Sequence, residues 1–484
     1  EVEAAEDIEL AEDISGPIAP IAQALHSPYL SSHCPSCFSP LLSSSPLCTS
    51  CTSASAPIPS TSSHLPSHLR AAISLLLSLS SPIPTNHRFL GLSTNIPTLA
   101  DHPDPQIAAQ IIADAETLLS SSPNLGFPLS HDLAASILCL VITNSVEVID
   151  HQGRCLGIAV YSPEFSWINH SCSPNTCYRF LFSPFPELSP SLRTIPSSGS
   201  FPSNSNPFNR FGPRVILRSI KPIKIREEIT VSYIDTFSPK DSRQEELLSK
   251  YCFQCNCARC SASPPWKIDQ MLEATIPLVS NQEEIKLQID EAIELYLLQD
   301  NPNLCCDRLE NLLTNGFEPP GESRNFYRLA LSNHLALKSF TTLTSAYSVR
   351  AFISPHLSFH FKKTSSVYCL LRALASYYLY LLEPSVVAST ATFWIAAAES
   401  LLKLAVPIQE KYVCSHCHIQ LDKGAVLGIM FENGVVSIDD KFIDCLGTIL
   451  GNTINLKEIW KFEEFREFGN YIEKAEKCVV YELG

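Results

Sequence analysis

Cysteine spacing carries the first chemistry of this chain. Cys34-Pro-Ser-Cys37 is followed, after a spacer of ten, by Cys48-Thr-Ser-Cys51. Two C-x2-C knuckles at that separation can wrap one tetrahedral Zn2+ with four thiolates. The alternative is four unrelated cysteines in a loop, but free thiols in so polar a segment would be exposed and oxidisable. Further on, the run Tyr251-Cys252-Phe253-Gln254-Cys255-Asn256-Cys257-Ala258-Arg259-Cys260 holds a C-x-C-x2-C pattern. It supplies three thiolates, one short of a closed structural zinc site. The fourth ligand must come from elsewhere, and Cys252 is the nearest candidate. Two weaker patterns remain. His64 and His68, at i and i+4, can serve a second site, and Cys414-Ser-His-Cys417-His418 reads as ligands, buried thiols or a redox pair.

Composition limits what these residues can belong to. The chain has 484 residues, enough for about three domains. It carries 34 Lys+Arg against 49 Asp+Glu, a formal net charge of −15, which argues against nonspecific DNA binding through Lys/Arg contacts to phosphate. At 45% hydrophobic it is too apolar to be disordered throughout. No uncharged apolar run reaches the ~18 residues that span a bilayer, so no membrane association is expected. Glu1–Ser15 is acidic and lacks the basic start and apolar centre of a signal peptide. An odd cysteine total of 19 fits metal sites in a reducing interior, nucleus or cytoplasm, better than a disulfide scaffold.

The elements that must position the cysteines follow from periodicity. Ser27–Ser63 is rich in Ser, Pro and Thr and cannot form a core of its own, so its order must come from metal or packing. His68–Leu79, Gln106–Ser120 and about Ser130–Leu140 have helical spacing. Val141–Ile149, Gly157–Tyr161, Val215–Ser219 and Ile229–Tyr233 read as strands. Phe182–Pro213, dense in Ser, Pro and Asn, reads as an exposed, largely disordered insertion. After Ser263-Pro264-Pro265 the helical stripes of Glu283–Gln299, Cys305–Thr314, Ser323–Phe340, Ser366–Leu382 and Ser389–Ala405 fit a helical-repeat array or an irregular bundle.

Ser166-Trp167-Ile168-Asn169-His170-Ser171-Cys172-Ser173-Pro174-Asn175 is a polar, turn-rich segment between two strands. It resembles the N-H-S-C-x-P-N signature of SET-domain lysine methyltransferases. Arg226-Glu227-Glu228-Ile229-Thr230-Val231-Ser232-Tyr233 resembles their G-E-E-[IL]-T-x-x-Y strand, and Tyr251–Cys260 is similar to their cysteine-rich post-SET segment. Thr143-Asn144-Ser145, followed by Leu156–Tyr161, is similar to the N-[SA]-F…G-x-x-[LV]-Y stretch of the SMYD (SET and MYND) subfamily. Among that group the chain resembles plant proteins of the ASHR type.

The resemblance implies an α+β fold: a SET-type β core, a small zinc module inserted near the N-terminus, and a helical, TPR-like C-terminal domain. Its segments would be 1–33, the N-terminal part of SET; 34–70, a reduced MYND-like module; and 71–140, a helical insert. The core SET would then span 141–235, the post-SET arm 236–262 and the helical domain 263–484. By the same resemblance Asn144, Ser166, Asn169 and His170 would hold S-adenosylmethionine, while Tyr251 and Phe253 would wall the cofactor and a lysine channel. Cys172 would close a zinc site with Cys255, Cys257 and Cys260, making Cys252 a non-ligand, and Tyr233 would be the catalytic tyrosine.

The sequence departs from the family pattern twice. Glu1–Ile18 holds a single glycine, Gly16, and no G-x-G cofactor loop, and the chain starts with Glu, so we expect its natural start to be missing. After Cys51 no cysteine follows until Cys139, where a full MYND module has eight ligands; either one rebuilt four-cysteine site or two incomplete ones would remain, and the rebuilt site is expected. The expected function is S-adenosylmethionine-dependent N-methylation of lysines in histones or other proteins. The alternative is a catalytically inactive scaffold, with protein partners bound through the helical domain. Direct nucleic-acid binding is not expected.

Overall fold

The computed structural model describes residues 1–41, 45–53, 64–78, 91–92, 105–121, 129–150, 154–182, 193–199, 201, 211–274, 282–299, 301–316, 332–405, 412–413 and 420–421. Two units emerge: 1–236 with 240–261, and 237–239 with the residues from 262 onward. In chain order the first contains β1 (Val2–Ala4), β2 (Pro20–Leu25), α1 (Thr49–Ser53), α2 (Ser67–Ser78), α3 (Pro105–Ser121), α4 (His131–Asn144), β3 (Ser145–Ile149) and β4 (Cys155–Tyr161). It continues with α5 (Pro163–Ser166), β5 (Asn169–His170), β6 (Thr176–Leu181), β7 (Thr194–Pro196), β8 (Arg214–Ser219), β9 (Thr230–Val231), α6 (Lys240–Tyr251) and α7 (Ala258–Ser261).

A three-stranded sheet in the order β2-β4-β3 divides the unit into two apolar layers. On β4, Ile158 and Val160 join the core made by α2, α3 and α4, while Ala159 and Tyr161 join the strand-rich core of Val215, Leu217 and Val231. Alternate side chains point to opposite faces, so a strand buried on both reads as one apolar run. The close packing demands a glycine. A Cβ on Gly157 would lie 2.2 Å from the Ala24 carbonyl oxygen of β2.

Helix α4 runs further than its β-branched tail suggests. Ser130 caps it, its side chain accepting from Leu133 N at 3.3 Å, and the helix continues through Val141-Ile142-Thr143 to Asn144. The strand expected over Val141–Ile149 therefore begins only at Ser145. Val141 is fully buried beside Ile137 and Leu138 in the helical core, and that packing overrides its weak helix propensity. The expected disorder of Phe182–Pro213 also needs correction. Thr194–Pro196 forms β7 and pairs antiparallel with β1; residues 183–192, 200 and 202–210 lie outside the described set.

Two short pairings position the motif residues. β5 runs parallel to β9, with Asn169 opposite Thr230 and His170 opposite Val231. Asn175 locks the crossing: its Oδ1 accepts from Thr230 N at 2.9 Å and its Nδ2 donates to the Glu228 carbonyl at 2.8 Å. The first residues of the chain lie against the segment leading into β9, Ile229 N donating to Val2 O at 2.8 Å and Ala4 N to Glu227 O at 2.9 Å.

The second unit is helical through residue 405 among the described residues, with α8 (Lys267–Leu272), α9 (Gln282–Gln299), α10 (Pro302–Gly316), α11 (His334–Ile353), α12 (Ser358–Leu382) and α13 (Val387–Ala405). Each helix from α9 onward packs on the next, around Leu309, Phe340, Tyr368 and Leu374. The helix expected from Ser323 begins, as described, at His334. Asn333 caps it by accepting from Leu335 N at 2.8 Å, and 323–331 lie outside the described residues. Cys305, Cys306 and Cys369 are core thiols here. Cys414, Cys417 and His418 fall outside the described residues.

Gly157→Ala should destabilise the first unit by about 1–3 kcal/mol, because backbone rather than a movable side chain meets the new methyl. Thermal unfolding would read this as a drop in Tm of several degrees; an unchanged Tm would contradict the close approach.

Candidate metal centres and active site

Four sulfurs from two distant stretches meet in the first unit. The Sγ atoms of Cys172, Cys255, Cys257 and Cys260 all lie within 4.8 Å of one another, and Cys260 Sγ is 3.4 Å from Cys172 Sγ. A tetrahedral zinc with bonds of about 2.3 Å needs sulfurs about 3.8 Å apart, so this donor set fits the ion. All four are free cysteines. Cys172 sits in the loop after β5, Cys255 and Cys257 lie on the arm between α6 and α7, and Cys260 lies in α7. Gln244 of α6 brackets that arm, accepting from Cys255 N at 2.9 Å and donating to Cys255 O at 2.8 Å. Arg259 Nη1 donates to the carbonyls of Cys172 and Thr236, both at 3.0 Å.

Proximity separates the four thiols in acidity. Hydrogen bonds from Cys172, Cys255 and Cys260 hold Cys257 far below the usual thiol range, and Cys172 and Cys255 lower Cys260 to about 6. Cys172 is pushed far up by its three neighbours, with the buried Arg243 acting in the opposite sense.

The second set is Cys34, Cys37, Cys48 and Cys51, whose sulfurs also lie within 4.8 Å of one another, Cys37 and Cys48 at 3.6 Å. The first knuckle closes through Phe38 N to Cys34 O at 2.8 Å, with Phe38 in the left-handed region at φ 65. Gln23 of β2 anchors it by donating to the carbonyls of Pro35 and Ser36. α1 supplies Cys51. This set fits a second zinc ion. His68 takes no part in it; its Nε2 lies 2.9 Å from Asp114 Oδ2 on α3, and neither His68 nor His64 joins a metal-ligating group among the described residues. Cys252 is not a ligand but packs against the helical core of α2 to α4.

Beside the Cys172 knot four rings form a closed circuit. Centroid distances are 5.3 Å from His170 to Tyr233, 5.0 Å from Tyr233 to Tyr251, 6.5 Å from Tyr251 to Phe253 and 6.2 Å from Phe253 back to His170. The Tyr233 hydroxyl donates to the Ile168 carbonyl at 2.5 Å, and its backbone N–H donates to His170 Nδ1 at 3.0 Å. Burial pushes the Tyr233 phenol well above its ordinary range and that of Tyr251 up to about 12, so both stay neutral. Burial also lowers His170 to about 4, leaving a neutral imidazole.

The remaining expected site residues are Asn169, Asn144 and Ser166. Asn169 is exposed next to His170, its Nδ2 donating to Glu228 Oε1 at 2.7 Å. Asn144 ends α4 and donates to Leu140 O at 2.9 Å; Ser166 ends α5 and donates to Tyr161 O at 2.8 Å. Sequence reasoning missed Arg243, Gln244, Arg259 and Glu228 as supporting residues. A helix over Lys240–Tyr251 was nevertheless readable from Pro239 ahead of it, Asp241 in its first turn and Lys250 in its last.

A strand crossing pinned by four thiols and faced by neutral tyrosines defines a mixed helix-and-sheet protein whose sulfur knot can hold a metal ion beside an aromatic-walled site. The family model described as SET domain matches residues 98–234. Protein SET DOMAIN GROUP 41 of Arabidopsis thaliana is 35% identical across 86% of this chain and 82% of its own length. The chain belongs to the SET-domain family. Human histone-lysine N-methyltransferase SMYD3 is 25% identical over 32% of the chain and 27% of its own length. Mouse histone-lysine N-methyltransferase Smyd1 is 25% identical over 46% and 42%. The chain therefore spans less than half the length of each of these two.

Elemental analysis of the purified chain should find two zinc ions. Cys172→Ser should remove about one and Cys252→Ser none. Full zinc retention in the Cys172 variant would reassign the fourth ligand.

Proposed function

We propose that the chain is an S-adenosylmethionine-dependent protein-lysine N-methyltransferase acting on histone or other protein lysines. The observation that carries this is the ring circuit of His170, Tyr233, Tyr251 and Phe253 beside the Cys172 knot. Transfer of a methyl group from a sulfonium to an amine is an in-line displacement: the lysine nitrogen's lone pair forms the new N–C bond as the S–C bond breaks. Such a step needs alignment and exclusion of water more than acid–base groups.

The residues present fit both requirements. Aromatic faces attract a cation by about 0.5–2 kcal/mol, favouring a sulfonium among these rings. Bound S-adenosylmethionine supplies the electrophilic methyl carbon. Asn169 and His170, with Asn144 and Ser166, are the polar groups that would hold it. Tyr233 is mostly buried and neutral, so it orients with its hydroxyl instead of removing a proton. The lysine must then arrive as the free amine, its proton already lost to water.

In this reading the second unit is a TPR-like surface for protein partners. The acidic total of −15 suits a basic polypeptide substrate. A reducing interior, nucleus or cytoplasm, suits the thiol-rich chain, and a chromatin role follows if histones are the substrate.

Labelled S-adenosylmethionine incubated with mixed histones tests the reaction, and calorimetry tests cofactor binding. Absence of binding by a folded, zinc-loaded sample would sink the proposal. Tyr233→Phe should lower transfer by about 100-fold, the scale set by loss of one oriented polar group, with zinc content unchanged. In the parent protein the rate should climb as pH rises toward the lysine range. A plateau near neutrality would instead point to a protein base.

A further inference from the structure

His170 touches both the ring circuit and the sulfur knot. Its Nδ1 accepts from the Tyr233 backbone N–H at 3.0 Å, and its Nε2 is 3.3 Å from Cys172 Sγ. A neutral imidazole has one donor nitrogen and one acceptor. Because Nδ1 must accept, the ring hydrogen belongs on Nε2, where it faces the sulfur. Zinc held by four thiolates carries a net charge of −2, which N–H donors to sulfur offset; Cys257 N makes such a bond to Cys255 Sγ at 3.4 Å.

From this geometry we infer that His170 is a positioning residue that ties Tyr233 to the zinc knot. One end of the imidazole fixes the tyrosine's backbone and the other is oriented by a metal-bound thiolate, so an intact knot sets where the tyrosine hydroxyl stands. The ring also contributes a face to the circuit, 5.3 Å from Tyr233 and 6.2 Å from Phe253. The inference deepens the methyltransferase reading. None of its readouts is methyl transfer, however, so a chain that binds no cofactor would refute that reading and leave this one standing.

The test uses amide substitutions that divide the two bonds. In His170→Asn the side-chain oxygen takes the place of Nδ1, keeping the acceptor for Tyr233 N–H and removing the donor to sulfur. In His170→Gln the terminal amide nitrogen takes the place of Nε2, keeping the donor and removing the acceptor. Zinc loss to a chelator should be several-fold faster in His170→Asn and near the parent rate in His170→Gln. With 15N-tyrosine labelling of the full chain, the Tyr233 amide resonance should shift in His170→Gln and stay close to the parent position in His170→Asn. A residue that only filled space would give both variants the same behaviour, and that result overturns the inference. If either variant fails to fold, 15N-histidine spectra of the zinc-loaded parent decide alone. A protonated Nε2 with bare Nδ1 supports the inference, and a protonated Nδ1 overturns it.

Discussion

The contact on which the first unit depends is the meeting of Cys172 with Cys260, residues 88 apart in sequence, at 3.4 Å between sulfurs. Around it the arm after α6 has little apolar surface of its own, and its cluster is mostly the cysteines with Leu247 and neighbouring rings. Ordering about ten residues costs on the order of 10–20 kcal/mol in backbone entropy. Structural zinc in small peptides contributes about 10–16 kcal/mol, a comparable amount. Tyr251 and Phe253 enter the site only if the arm is ordered, so the knot and the aromatic walls form together.

Charge follows the same geometry. Two fully buried arginines, Arg243 and Arg259, sit at the knot, where they oppose the negative charge of the thiolates. Arg259 also joins the Cys172 loop to Thr236, three residues beyond Tyr233. On the opposite side Asn175 fastens the same loop to β9. The loop after β5 is therefore held by sulfur, guanidinium and amide at once. That over-determination is what a site relying on alignment requires.

Much of this was legible in the chain, though unevenly. The cysteine knuckles announced themselves by spacing, and the apolar run Gly157–Tyr161 read as a strand, whose burial on both faces only the packing of the two cores set. Asn144 was misplaced: local β propensity suggested a strand through Val141–Thr143, and burial against α2 and α3 kept the helix going. Thr194–Pro196 gave no strand signal, because its pairing partner lies nearly two hundred residues earlier. His68 looked like a metal ligand by its i, i+4 relation to His64, but α3 brings Asp114 to it instead.

By itself the sequence determined which groups were available: seven knuckle cysteines, an Asn-His pair, and tyrosines spaced along two segments. Thiol spacing reports metal affinity because ligand geometry within a knuckle is local. Which sulfur closes the second knot was a tertiary matter. Spacing alone offered Cys252 as the nearest candidate and the family resemblance named Cys172; the parallel pairing of β5 with β9 is what brings Cys172 to the other three sulfurs. The same pairing sets His170 against Tyr233 N–H on one side and Cys172 sulfur on the other. No local rule could supply that arrangement, since both bonds cross between segments that meet only when the core has folded.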